Sequence, residues 1–200
     1  GMDLDLAERY FIEWNQFTRG VPEYFAYRMI NSKSQLEEKM ILFWHGVLCT
    51  ADSKTQSYGT SYVELEMFRR FGMGSFKDLL IEISRDPAMV YFLDNCLSHK
   101  GAINENYGRE LLELFSMGVG MDGEFNYTEQ DVKECSRAFT GWTIANSIPN
   151  QPYGRYDARF VYNPYDHDDG EKTFLGETGN FNGEDIVDII VKQPATARFV

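Results

Sequence analysis

The stretch NENYGRELLELFSMG, residues 104–118, brings two acids and an arginine close together on one predicted helix. The acids are Glu110 and Glu113, and the base is Arg109. Carboxylates held beside an arginine in a cleft have displaced pKa values, and they can act as general bases or as metal ligands. The sequence therefore makes these three residues candidates for catalysis, with a divalent metal as the cofactor that such a site could hold.

The turn DHDDGEK, residues 166–172, supplies a second pair of candidates, His167 and Asp168. An aspartate beside a histidine can orient the imidazole for acid–base catalysis. The turn lacks the spacing of an EF-hand loop, and a hairpin turn whose aspartates bond their own backbone is the structural alternative. A hydrolase-like site requires that His167 comes within reach of Glu110 and Glu113 in space.

The charges of the NENY helix also have a purely structural explanation. Glu105, Arg109 and Glu113 form an i, i+4, i+8 ladder, and such pairs stabilise a helix by ~0.2–0.5 kcal/mol each. The other face of the wheel would pack on the core, and it holds Tyr107, Leu111, Leu114 and Phe115. Both explanations are open at the level of the sequence.

Other familiar sites are weakly indicated or missing. His45 precedes Cys49 by one helical turn, but nothing nearby in sequence completes a tetrahedral metal site, so we interpret His45 as a hydrogen-bonded core histidine. The three cysteines form no CxxC pair, and we interpret them as buried thiols. The sequence contains no GxSxG elbow, P-loop, HExxH or dinucleotide-binding motif.

The composition limits the partners of the chain. With 19 Lys and Arg against 31 Asp and Glu, the formal net charge is -12, so we expect no binding to nucleic acid. No apolar run reaches the roughly 18–20 residues of a membrane span, so none is expected in this segment. A hydrophobic content of 43% is typical of a globular chain.

Helical periodicity predicts a mainly α fold, a multi-helix, bundle-like single domain over residues 1–200. We predict helices at residues 4–17, 36–49, 58–71 and 76–84, followed by others after Asp86, Asn104, Thr128 and Gly183. Ser34 and Glu37 have the spacing of a capping box for the second helix. That helix is apolar around most of its circumference, and we expect it to be central and largely buried.

Residues from about 145 to 182 form a predicted insertion, because prolines and glycines interrupt the helical pattern there. The segments RFVYN and KTFLG have the composition of short strands, and they flank the turn PYDHDDGE. We therefore predict one small β-hairpin near residues 158–176 on the helical body.

A series of motifs resembles a known family. The motifs are EEKMILFWH, DPAMVYFLDN, NENYGRELLELFSMGVG, YTEQDVKECSRAFTGW, HDDGEKTFLG and QPATARFV. In order and spacing they are similar to the large bacterial domain-of-unknown-function family eighteen hundred (DUF1800), from about Tyr24 to the last residue. The family has no established activity, and its members are usually longer at both ends and often carry export signals. The resemblance thus implies a fragment of an exported or envelope-associated protein, whose remaining part would pack on the C-terminal end.

The resemblance also marks positions inside the family motifs without giving them roles. They are His45, Asn104, Glu105, Asn106, Arg109, Glu110, Glu113, Arg137, His167, Asp168 and Lys172. Family members commonly carry a second histidine shortly after the one that matches His45, where this chain has GVLC, and often a histidine in place of Phe115. A histidine-rich metal site would therefore be incomplete here. Two hypotheses follow: an interaction or structural module that binds a protein partner, and a hydrolase-like enzyme.

Overall fold

The computed structural model describes residues 3–14, 20–121, 124–145 and 158–200. Within these ranges the chain is mainly α-helical, as the periodicity predicts. The α-helices are α1 (Leu4–Glu8), α2 (Gly20–Asn31), α3 (Gln35–Val47), α4 (Asp52–Thr55), α5 (Tyr58–Phe71), α6 (Phe76–Arg85), α7 (Pro87–Phe92), α8 (Asn106–Glu110), α9 (Glu129–Ala138), α10 (Gly183–Ile190) and α11 (Pro194–Phe199). Two π-helical segments, Arg9–Trp14 and Leu111–Ser116, continue α1 and α8.

The strands are short and antiparallel, and each pairs with one neighbour. The strands are β1 (Gly120–Met121), β2 (Glu124–Phe125), β3 (Trp142–Ile144), β4 (Phe160–Tyr162), β5 (Lys172–Phe174) and β6 (Glu177–Gly179). The pairs are β1 with β2, β3 with β4, and β5 with β6. The predicted hairpin of RFVYN with KTFLG is therefore wrong in its pairing, because each of these segments finds a different partner. Most of residues 145–157, between β3 and β4, lies outside the described ranges.

One hydrophobic core joins the helices. α3 packs on α5, α5 on α6, and α8 on α9, while α10 contacts α6 and α9. Aromatic rings occupy the middle of this core: Tyr107 meets Phe139 edge to face, and Phe139 meets Trp142 in the same way. Burial of such rings supplies much of the free energy of folding, at ~25 cal/mol per Å² of apolar surface.

The helix starts follow the sequence in most places. Asp86 caps α7 by accepting hydrogen bonds from the amides of Ala88 and Met89 at 2.9 and 3.2 Å. Thr128 and Asp131 form a reciprocal capping box at the start of α9. The second carboxylate oxygen of Asp131 accepts a hydrogen bond from the Leu175 amide at 2.8 Å, in the turn between β5 and β6.

Two predictions about helices fail. Ser34 makes no side-chain capping bond, because its backbone is not extended and its own amide donates to the Ser32 hydroxyl. The predicted central helix is α3. It buries Ile41 and Trp44, but Leu36, Leu42 and Phe43 are exposed, so the helix is not largely buried. The predicted helix over residues 4–17 is helical to residue 14, and residues 15–19 lie outside the described ranges.

The π-helical segment after α8 changes which side chains face the core. The amide of Met117 donates to the Leu112 carbonyl, five residues back, so each turn holds more residues than an α-turn. As a result Leu112 is buried, whereas Leu114, predicted to face the core, is 52% exposed. Tyr107, Leu111 and Phe115 are buried as predicted.

Candidate functional site

The NENY helix is held against α9 by close contact at its first turn. Gly108 lies so near the next helix that a Cβ there would come within 2.2 Å of the Ser136 hydroxyl oxygen. The hydroxyl of buried Tyr107 donates a hydrogen bond to the Ser84 hydroxyl oxygen at 2.5 Å. Before the helix, the side-chain oxygen of Asn104 accepts from the Asn106 amide at 3.0 Å, although the residue directly preceding α8 is Glu105. These contacts fix the direction in which Arg109, Glu110 and Glu113 project.

Arg109 connects two helices at the surface. Its guanidinium donates to both carboxylate oxygens of Glu129 on α9, at 2.9 and 2.7 Å, and lies 3.4 Å from Glu105. Glu113 takes no part, and it makes no ion pair with any described residue. The predicted ladder is thus formed at one end only, and its second partner comes from the next helix.

Glu110 and Glu113 form a small acidic pair, and both side chains are half-buried. Glu110 accepts no hydrogen bond from the residues that the structure describes. Burial raises the pKa of the Glu110 carboxyl, the charge of Glu113 raises it further, and Arg109 partly opposes both effects. Burial and the charge of Glu113 also raise the pKa of the Tyr127 hydroxyl, so Tyr127 lies near the same pair.

The turn after β4 is held by Arg137 of α9. The guanidinium donates to both carboxylate oxygens of Asp168, at 2.9 and 3.1 Å, and to Glu134 at 2.6 Å. Hydrogen bonding to Arg137 is the main cause that lowers the pKa of Asp168 to about 2. The ion-pair partners of Arg137 are therefore Glu134 and Asp168.

His167 is buried beneath this turn, where its ring is held from two sides. Nδ1 lies 2.9 Å from the Thr140 carbonyl oxygen, so Nδ1 carries the proton and donates it. The ring of Tyr162 meets the imidazole edge to face. The carboxylate of Asp168 is engaged by Arg137, while its backbone amide donates to the Thr140 hydroxyl at 2.8 Å. In this arrangement a backbone carbonyl orients the imidazole, where the sequence had offered Asp168 for that role.

Lys172 forms hydrogen bonds with the backbone of the same turn. Its side chain is buried, and the ammonium donates to the carbonyl oxygens of Asp168 and Gly170 at 2.5 and 3.0 Å. Burial lowers the pKa of this amine, and the charge of Asp168 opposes that shift. His167, Asp168 and Lys172 are thus bonded within the turn, to Arg137 of α9 and to Thr140 just after that helix.

The candidate residues therefore lie in two groups with different partners. Among the described residues, we find no hydrogen bond or ion pair that joins His167 or Asp168 to Glu110 or Glu113. A cavity of about 430 Å³ is lined by neither group; its walls include Met117, Gly118, Ala195 and Phe199. Within the described ranges, no three His, Cys, Asp or Glu side chains are grouped to hold a metal ion.

A third polar cluster, formed by α3, α5 and the N-cap of α7, was not predicted as a site. Glu64 of α5 is fully buried, and its Oε2 accepts a hydrogen bond from the Thr50 hydroxyl at 2.9 Å. Nδ1 of His45 lies 3.7 Å from the same oxygen. Burial, followed by the charge of nearby Asp86, raises the pKa of Glu64 well above its usual value. Burial also raises the pKa of Asp86, to about 7.

His45 thus differs from the hydrogen-bonded core histidine that we predicted. Its side chain is 38% exposed, and its Nδ1 has no hydrogen-bond partner among the described residues. Burial lowers the pKa of the ring. Cys49, one turn further on, is exposed and free. The prediction of three buried thiols holds for Cys135 and fails for Cys49, while Cys96 is half-buried.

One sequence signal could have pointed to Glu64. It lies four residues after Thr60 and four before Phe68, on a stripe of α5 whose members are all buried. An acid in the middle of such a stripe needs a partner or a proton. Its neighbours His45 and Asp86 lie on other helices, and no spacing within the sequence reveals that contact.

The chain is a mainly α-helical protein with small antiparallel strand pairs. None of the helices in the described ranges is long and apolar enough to cross a membrane. The family model described as "Protein of unknown function (DUF1800)" matches residues 13–200, and the chain belongs to this family. No curated protein and no solved structure matches the chain.

Proposed function

We propose that this chain is an interaction or structural module of an exported or envelope-associated bacterial protein. In this proposal the NENY helix and the HDDG turn stabilise the fold and bind no substrate. The observation that carries it is the engagement of the turn: Arg137, His167 and Lys172 all direct their donors to atoms within the fold. The guanidinium, the Nδ1 proton and the ammonium are thus bound by the protein itself, as expected of groups that hold a turn in place.

An apolar patch at the C-terminal end is the surface that we assign to the partner. It consists of Val119, Phe125, Phe199 and Val200, all of them exposed, with Phe125 75% exposed. Phe125 pairs with Gly120 across β1 and β2, and the Phe199 ring packs against Gly118, so the strands and α11 form one surface. The cavity of about 430 Å³ lies here, and Glu124 and Arg198 are the charged residues that line it.

The chemistry of this patch fits a protein partner. An exposed cluster of large apolar side chains with charged residues around it has the composition of a protein interface. The family resemblance leads us to expect further chain of the parent protein, and we assign the patch to that part. The proposed partner is therefore a protein segment with apolar side chains that fill the cavity.

Binding of the remaining parent sequence, added as a separate polypeptide, tests this assignment by calorimetry. We expect Phe125→Asp and Phe199→Asp to weaken binding, because each places a charge in an apolar contact. Tyr165→Asp is the matched control, since Tyr165 is 93% exposed and does not line the cavity. Equal binding by all three variants would contradict the proposed surface.

A hydrolase-like enzyme is the second candidate, and the raised pKa of Glu110 favours it. A half-buried carboxylate without a hydrogen-bond partner can serve as a general base. Glu113 would assist, with Arg109 as an anion anchor. A screen of ester and phosphoester substrates tests this candidate: hydrolysis by the wild-type chain that is lost in Glu110→Gln and kept in His167→Gln would support a site on the NENY helix alone.

A further inference from the structure

Two buried carboxylates lie near each other, and neither has a lysine or arginine partner among the described residues. Glu64 is fully buried in α5, and Asp86 is buried at the start of α7. No lysine or arginine in the described part of the chain forms an ion pair with either of them. Buried carboxylates normally have a cationic partner, a metal ion or a proton, because an isolated charge in the interior costs several kcal/mol or more.

Two atoms of this cluster lack the hydrogen bonds that buried polar atoms normally have. Oε1 of Glu64 and Nδ1 of His45 have no hydrogen-bond partner among the described residues. Each such atom costs about 1–3 kcal/mol, so a native protein usually satisfies them with water or an ion.

The distance between the two side chains distinguishes a hydrogen bond from shared coordination. Nδ1 of His45 lies 3.7 Å from Oε2 of Glu64, which is too long for a hydrogen bond. Metal bonds of about 2.0–2.2 Å to nitrogen and oxygen place two ligands of a tetrahedral ion ~3.4 Å apart. A small movement of the His45 ring, on the partly exposed side of α3, therefore brings both side chains to coordination distance.

We propose that His45 and Glu64 bind a divalent cation of the Mn²⁺ or Zn²⁺ type. Such ions accept imidazole and carboxylate ligands together. Since no three His, Cys, Asp or Glu side chains are grouped in the described ranges, the protein supplies two such ligands, and Thr50 adds a hydroxyl beside them. Solvent molecules or atoms of a bound molecule complete the coordination. Asp86 adds negative charge behind Glu64 without acting as a ligand.

This site is independent of the interaction surface proposed above. The cluster lies on α3, α5 and α7, and none of its residues lines the C-terminal cavity. Failure of one proposal therefore leaves the other in place.

Equilibrium dialysis of the chelator-treated chain against MnCl₂ and, separately, ZnCl₂ tests the site. We expect one ion per chain and a higher melting temperature in its presence, because a ligand of the folded state stabilises that state. Glu64→Gln and His45→Gln each remove one ligand and should weaken binding by about tenfold or more. Cys49→Ser and Glu177→Gln, at an exposed residue of β6, are the controls and should bind as the wild type does.

Mn²⁺ also reports its own position. It broadens nearby amide signals in NMR spectra, and we expect the strongest loss at His45, Thr50 and Glu64. Stoichiometric binding that is unchanged in both His45→Gln and Glu64→Gln would overturn the proposal, as would the absence of stoichiometric binding. A metal-free Glu64→Gln chain with a raised melting temperature, combined with no metal binding by the wild type, would show that the pair holds a proton instead.

Discussion

Arg137 donates two hydrogen bonds to the carboxylate of Asp168, at 2.9 and 3.1 Å, and so connects α9 to a turn 31 residues further along the chain. Both side chains are mostly buried, at 20% and 19% exposed. A bidentate pair of this kind gives direction as well as energy, because the planar guanidinium matches the carboxylate.

Removal of this ion pair should destabilise the folded chain. We expect Arg137→Ala to lower the free energy of unfolding by about 1.5–3 kcal/mol, because the hydrogen bonds involve charged groups and Asp168 loses its partner. Urea denaturation at neutral pH measures the change. Arg109→Ala is the matched control: Arg109 also bridges two helices, but its partner Glu129 is largely exposed, so the loss should be smaller. An equal loss in the two variants would contradict the distinction.

The same pair predicts how stability depends on pH. The pKa of Asp168 is about 2 in the folded chain and about 3.9 in an unfolded one. Its stabilising contribution is therefore fully present above the unfolded pKa and declines as the pH falls from about 4 towards 2. We expect the stability difference between the wild type and Asp168→Asn to shrink over this range, as measured by denaturant unfolding at successive pH values. A constant difference would contradict the assignment.

At Glu110 the charged carboxylate should have the opposite effect on stability. The pKa of Glu110 is raised in the folded chain, so the charged carboxylate is disfavoured there and destabilises the fold above that pKa. We expect the glutamine variant to be as stable as the wild type or more stable at pH 7, with the difference vanishing below the unfolded pKa of about 4.3. Melting temperatures at pH 7 and pH 4 check this. Marked destabilisation at pH 7 would show that the carboxylate has a structural partner.

The π-helical segment predicts unequal effects of two neighbouring leucines. Leu112→Ala should cost about 2–5 kcal/mol, because Leu112 is fully buried and its loss leaves a cavity. Leu114→Ala should cost much less, since most of that side chain already meets solvent. Denaturant unfolding of the two variants gives the comparison, and a larger loss at Leu114 would contradict the orientation of the two side chains.

The sequence predicts the features of this protein that depend on local chemistry. The caps at Asp86 and Thr128 are set by side chains two or three residues from the amides that they satisfy. The pairing of β4 with β3 depends on contacts across the long connection between them, so composition located the strands and missed their partners. The sequence also missed the exposed position of Leu114. One wider turn rotates the later side chains about the helix axis, and the spacing of apolar residues does not reveal that turn.

The candidate sites divide in the same way. Arg109 and Glu105 interact at the predicted i, i+4 spacing, but the strongest partner of Arg109 is Glu129 on another helix. His45, Glu64 and Asp86 come together from three helices, and only the folded chain brings them into one cluster. Residue type and spacing identified acids and histidines worth attention, while their partners were decided by packing.

Asp131 serves two elements with one carboxylate: one oxygen completes the cap of α9, and the other holds the Leu175 amide between β5 and β6. Because both contacts use one side chain, a rotation of Asp131 that breaks one also breaks the other. The start of α9 and the β5–β6 hairpin should therefore open as one cooperative unit. Their amide hydrogens should exchange with solvent deuterium at similar rates, and a change at Asp131 should alter the rates in both elements.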